Sequence, residues 1–254
     1  MRRRPLLLFL AAGLAAGLTP GAADDCRHTE ARDFDVDAAG ATQVRIEATA
    51  GSLHVRGREG LERVEVRGTV CAESASDLDR VELEAYRRGD EVRVVARIDQ
   101  GNSWHSSPWI DLTIEVPEGI DLDVSDGSGS TEIFNVGSLE IEDGSGELAL
   151  ERIEGDLRIE DGSGAIDVRD VSGLVVVERD GSGEITIRGA RRDVEIHRDG
   201  SGGIDISDVG GSVRIGTDGS GSIRAENVTG DLVVDHDGSG GISFERIGGR
   251  VDLP

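Results

Sequence analysis

The sequence predicts an all-β fold: a parallel β-solenoid of seven coils of about 19 residues, preceded by an irregular N-terminal β cap. Three observations predict it. The tetrapeptide Asp-Gly-Ser-Gly begins at Asp126, Asp143, Asp161, Asp180, Asp199, Asp218 and Asp237, with steps of 17 and 18 residues and then 19 throughout. Between copies, apolar residues alternate with polar ones in two short runs, the period of a strand with one buried face. Aromatic residues make up only 3% of the chain and glycines number 37, a composition that suits many short strands around a thin core.

Taken in order, Arg2, Arg3 and Arg4 precede the apolar run Leu6 to Leu18, and small residues follow at Gly21-Ala22-Ala23. Residues 1–23 therefore read as an export signal cleaved after Ala23, since the run is too short for a spanning helix of about 20 residues. The expected product is soluble and lies outside the cytoplasm, periplasmic or secreted. Cys26 follows Asp24-Asp25 rather than the small apolar residues a lipid anchor would want. With Cys71 it is the only cysteine, and in an exported chain the pair is expected to form a disulfide. Losing residues 1–23 removes three of the 27 basic residues and none of the 51 acidic ones, which leaves a net charge of −27. Every basic residue is arginine. A surface this acidic repels nucleic acid and anionic membranes.

Residues 24–124 read as an N-terminal β region that caps the solenoid. "TQVRIEATAGSLHVRG" resembles a degenerate coil, "LERVEVRGTVCA" a strand, and "VELEAYRRGDEVRVVARI" a hairpin turning at Arg88-Gly89-Asp90. "DQGNSWHSSP" is a loop carrying Trp104 and His105. Two further strands flank Pro117-Glu118-Gly119, the first opened by Trp109, which is expected in the core. Residues 125–254 are the coils. The unit at Asp199 places Ile204, Ile206, Val209, Val213 and Ile215 on the buried face, and its neighbours follow the same template. In the first unit Thr131 replaces the first Ile. No segment has the period of a helix. One unit cannot bury its apolar face alone, but stacked units can, in a rod roughly 30 to 35 Å long. The final Val251-Asp252-Leu253-Pro254 leaves an edge open to end-to-end self-association.

The "DGSGxIxIxxVxGxVxI" units behind "IDLTIEVPEGIDLDVSDGSGS" resemble the bacterial putative-adhesin β-strand-repeat family, a domain family of unknown function. The resemblance implies a β-solenoid of the cell envelope and no catalytic residues.

The repeated serine is no nucleophile by pattern, because the elbow motif is G-x-S-x-G and no histidine repeats beside it. The Gly-Ser-Gly turns enter strands, not the helix N-termini that cradle phosphate. The carboxylates are harder to place. Stacking sets them about 4.8 Å apart, where adjacent like charges repel by about 0.9 kcal/mol in water. Calcium would offset that, with Asp143, Asp161, Asp180, Asp199 and Asp218 as candidate ligands. Few sequence features supply the six to eight oxygens it takes. The preferred reading is an Asx-type turn in which each Asp accepts from the Gly and Ser amides ahead of it, with Arg179 and Arg198 neutralising part of the row.

The function expected is that of a non-enzymatic exported scaffold, adhesin-like, binding an envelope or surface component, protein or glycan, without a cofactor or direct membrane insertion. The alternatives are a calcium-stabilised repeat scaffold and a polysaccharide-active β-helix enzyme. The enzyme would need a cleft lined by paired carboxylates.

Overall fold

The structure, a computed structural model, describes residues 26–99 and 107–254. Residues 1–23, expected to be an export signal, and Trp104 and His105 lie outside those residues. The chain begins with strands β1 (His28–Asp37), β2 (Gln43–Glu47), β3 (Leu53–Arg58) and β4 (Arg63–Ala72), then a single helical turn α1 (Ala75–Leu78). Strands β5 (Val81–Arg88), β6 (Glu91–Ile98) and β7 (Trp109–Pro117) complete the N-terminal region. The helical turn departs from the all-strand expectation. Ser74 starts it, its hydroxyl donating to Asp77 Oδ2 at 2.6 Å while Arg80 reaches Asp77 Oδ1 at 3.1 Å. Local side-chain bonds thus hold a turn too short to show a period.

The coils follow as strand pairs joined by the DGSG corners: β8 (Asp121–Asp126) with β9 (Thr131–Val136), β10 (Leu139–Asp143) with β11 (Leu148–Ile153), and β12 (Leu157–Asp161) with β13 (Ile166–Val171). The pattern continues through β14 (Val175–Asp180), β15 (Ile185–Ala190), β16 (Val194–Asp199), β17 (Ile204–Val209), β18 (Val213–Asp218), β19 (Ile223–Val228), β20 (Leu232–Asp237) and β21 (Ile242–Ile247), and ends at β22 (Val251–Asp252). From β8 on, successive even-numbered strands stack in parallel in one 11-stranded sheet, which also takes in β5, and odd-numbered strands in another, which also takes in β4. Register follows the repeat, so that Ile185 pairs with Ile204 and Ile204 with Ile223. The core is the thin seam between the sheets, where Ile185, Ile187, Val194 and Ile196 are wholly buried. Removing such side chains from water contributes about 1.5–3 kcal/mol each.

The degenerate coil predicted at Thr42–Gly57 is present, with β2 parallel to β8 and β3 parallel to β9. Strands β6 and β7 stack on its far side, and beyond them pairing turns antiparallel: β4 on β7, β1 on β4, β5 on β6. The hairpin turns at Gly89, as expected. The change of direction closes the first edge to further parallel stacking. Cys26 and Cys71 form the disulfide, 5.5 Å between Cα atoms, which ties the arm before β1 to the end of β4. Its separation of 45 residues gives it about 4 kcal/mol of stabilisation through chain entropy. Trp109 pairs with Cys71 at the start of β7 and is only half-buried, outside the apolar seam, because the strand begins at the sheet's margin. The other end of the rod is exposed: Phe244 is 48% exposed and Val251 and Leu253 are each 38% exposed.

Candidate functional site

The seven repeated aspartates stand in one column. Each ends a strand of the even-numbered sheet and pairs in register with the next, from Asp126 with Asp143 to Asp218 with Asp237. The column lies inside the rod. Asp161, Asp180, Asp199 and Asp218 are each 1% exposed, and only Asp237, in the last corner, is half-exposed.

The corner is closed chiefly by backbone bonds between coils. From the second DGSG onward, the first glycine donates its amide to the carbonyl of the preceding coil's Asp, as Gly200 does to Asp180 at 3.0 Å and Gly219 to Asp199 at 3.0 Å. The second glycine donates to the serine carbonyl of the following coil, Gly202 to Ser220 at 2.9 Å. Gly202 has φ +146°, and a Cβ there would overlap the carbonyl oxygen of Gly183. That close approach is why the motif keeps its glycines.

The expected Asx turns therefore form only in part. Asp126 accepts from the Gly127 amide at 2.8 Å and from the Thr131 hydroxyl at 2.9 Å, and Asp161 accepts from the Ser163 amide at 3.2 Å. At Asp143, Asp180, Asp199 and Asp218 neither carboxyl oxygen has a hydrogen-bond partner, because the glycine amides serve the ladder between coils. Arg179 does not neutralise the column either; it points outward and pairs with Glu160. Burial pushes the Asp143 and Asp218 carboxyls up to about 7, with the facing carboxyls adding to the rise, and those of Asp180 and Asp199 up to about 6, where the carboxyl of the following coil opposes the rise and that of the preceding coil adds to it. Asp126 and Asp161 rise for the same first reason, opposed by their hydrogen bonds. Of the five calcium candidates, all lie in this column. Among the described residues, no group of three or more His, Cys, Asp or Glu is arranged to hold a metal ion.

Two other columns escaped the sequence reading. At the opposite corner, Asp121, Asp156, Asp193 and Asp231 accept from amides of the following coil, those of Ser138, Leu174, Ser212 and Arg250, at 2.7–2.8 Å. One residue before the Val of each unit, the backbone takes the left-handed conformation: Asn135, Arg152, Asp170, Gly189, Asp208, Asn227 and Arg246. Five of those seven are Asn, Asp or Gly, a signal that marks the position. Arg152 is held there by the ring of Phe134, its guanidinium 4.7 Å from the centroid, with Arg56 on the same ring at 5.1 Å.

That ring lines a depression of about 250 Å³ between Arg56, Glu132, Glu151 and Arg169 on the outer face of the odd-numbered sheet. Elsewhere the faces carry charged pairs such as Arg214 with Asp235 at 2.5 Å and Arg45 with Asp123 at 2.6 Å. No helix among the described residues is long and apolar enough to cross a membrane.

No family model matches the sequence, and no curated protein matches it. Solved structures do. A putative adhesin from Bacteroides fragilis superposes with a TM-score of 0.57 at 11% identity, over 91% of this chain and 99% of that one. A putative lipid binding protein from Parabacteroides distasonis gives 0.49 at 14% identity, over 89% and 94%. A putative cell adhesion protein from Clostridium sporogenes gives 0.41 at 11% identity, over 89% and 100%. The chain shares the fold of the first of these, the stacked β-solenoid that the repeat predicted.

Proposed function

We propose that the protein is a non-enzymatic exported rod that presents its charged sheet faces to an envelope or surface component, protein or glycan. The observation that carries this reading is the division of carboxylates between the rod's inside and outside. The groups with raised proton affinity, which would mark a glycoside-cleaving acid and base, are 1% exposed at Asp180 and Asp199 and out of reach of any substrate. The accessible ones are spread along the sheet faces, some of them paired with arginines, as Asp235 is with Arg214. A face of this kind suits recognition by complementary charge. The likeness to the Bacteroides fragilis adhesin supports the same reading at the level of the fold.

The depression around Phe134 is the contact patch expected to matter most, since an aromatic ring flanked by guanidiniums offers both stacking and hydrogen bonding. Fractionating cells and pulling down envelope components with the mature protein tests the proposal. Capture that Phe134→Ala and Arg56→Ala both weaken is the expected result. Recovery in the cytoplasm, or hydrolysis of a glycan by the purified protein, would overturn it. The exposed Phe244, Val251 and Leu253 give two copies a second place to meet, by pairing of their last coils. Sedimentation across a concentration series reads that self-association directly.

A further inference from the structure

A column of carboxylates inside an apolar seam must be neutralised by something. The outward groups do not serve: Glu142, Glu160, Arg179, Arg198 and His236 sit beside the column's aspartates on the same strands, but on the solvent side. From the opposite sheet, the one side chain among the described residues that donates to the column is Thr131, which bonds Asp126. In register with Thr131, the later coils carry Leu148, Ile166, Ile185, Ile204 and Ile223, which have no donor. A metal ion would require several further oxygens around each carboxyl, and among the described residues no group of three or more His, Cys, Asp or Glu is arranged to hold one. What remains beside Asp180 and Asp199 is the serine amide ahead of each, which favours the ionised form without completing a hydrogen bond, and the carboxyl of the next coil.

We infer that the column from Asp143 to Asp218 is a proton-holding ladder, in which a protonated carboxyl donates its O–H to the unpartnered carboxyl oxygen of the adjacent coil, so that acid stabilises the rod and base loosens it. The proton supplies the donor that no side chain offers, and it removes one charge from each facing pair. Geometry and burial carry the inference, through the unpartnered oxygens of Asp143, Asp180, Asp199 and Asp218 and the in-register stacking of their strands. The raised proton affinities agree with it. The sign follows from linkage. Folded carboxyls that hold protons more tightly than unfolded ones contribute stability that is complete in acid, below the ordinary Asp value, and lost as pH rises through about 6 to 7.

Thermal unfolding of the full mature chain in EDTA from pH 4 to 9, for wild type and the double variant Asp180→Asn/Asp199→Asn, tests this. The wild-type Tm is expected to fall by about 5 °C or more between pH 5 and 8. In the variant, stacked amides bond one another at any pH, so the slope should flatten and the Tm at pH 8 should exceed that of wild type. Both proteins keep their histidines, so the difference in slope isolates the ladder. Should the variant fail to fold, carbon-13 NMR of wild-type aspartate carboxyls gives the same answer, with a late-titrating set expected near neutral pH. A flat or rising wild-type profile, an equal slope in the two proteins, or carboxyls all ionised at pH 5 would overturn the inference. So would a wild-type Tm at pH 8 that millimolar calcium raises and the variant lacks, which would put a cation where we place protons.

Discussion

Asp218 and Asp231 belong to the same coil, and their surroundings send them in opposite directions. Asp218 is buried without a donor, and burial raises its proton affinity to about 7. Asp231 is partly exposed and accepts from the Arg250 amide at 2.7 Å, a bond that holds its carboxyl below the usual range. Desolvation wins at the first because nothing in the coil offsets it. The backbone amide wins at the second because water still reaches the group. Regular stacking copies each environment up the rod, so a difference within one coil becomes a difference between two columns. An unvarying acidic residue in a repeat is therefore evidence of a shared position, and its chemistry depends on which face of the strand that position occupies.

The contrast can be broken most severely at the corner that buries the first column. Gly202→Ala drives a methyl into the Gly183 carbonyl at a positive φ and should cost about 4 kcal/mol, seen as a large loss of midpoint in urea unfolding. A middle-sized effect is expected from Thr131→Val, which removes the only side-chain hydroxyl donor to the column among the described residues while keeping its volume. Leaving Asp126 Oδ2 unpaired should cost about 2 kcal/mol at pH 8. The loss should shrink at pH 5, since the hydroxyl favours the ionised carboxyl and is missed less once a proton is bound. The smallest change is Asp231→Ala. A depressed carboxyl contributes stability above its unfolded value that is lost as pH falls, so the variant should melt about 1–2 °C below wild type at pH 7 and together with it at pH 3. A variant equally destabilised at both pH values would show that Asp231 acts through packing rather than charge.

Much of this was legible in the residues. The Ile-x-Ile alternation placed the buried face of every coil, and the spacing of DGSG placed every corner of the first kind. The side of the strand on which Asp lay was less clear. In the 19-residue units Val177-Glu178-Arg179-Asp180 and Ile196-His197-Arg198-Asp199 put two residues between the last apolar side chain and the Asp, which reads as outward by simple alternation. Yet both Asp180 and Asp199 are buried, and the pairing of Ile159-Glu160 with Val177-Arg179 slips by one residue. The shorter units, Ile141-Glu142-Asp143 and Ile159-Glu160-Asp161, carry a single intervening residue, a spacing that by alternation points the Asp inward, where it lies. Thr131 was visible as an exception to the Ile column, but its purpose was not, because the bond it makes joins strands of the two sheets. The left-handed column went unseen because Arg152 and Arg246 interrupt its Asn, Asp and Gly signature, and ring and ion-pair contacts hold those arginines in place.

The antiparallel cap at one end and the parallel stack beyond it also bear on how such a chain changes length over evolutionary time. The coil at Thr131 is matched to its neighbours on both sides: a hydroxyl serves the first aspartate, and the degenerate coil beneath offers Ala48 where an aspartate would otherwise stand. The later coils are interchangeable, each meeting its neighbours through the same register and the same glycine contacts. Duplication or loss of a whole 19-residue unit among them would preserve the register of the strands on either side, while a change of one residue has to be absorbed within its coil, as the slip between Ile159-Glu160 and Val177-Arg179 absorbs it. The steps of 19 from Asp161 onward are the record that such a constraint leaves in a sequence.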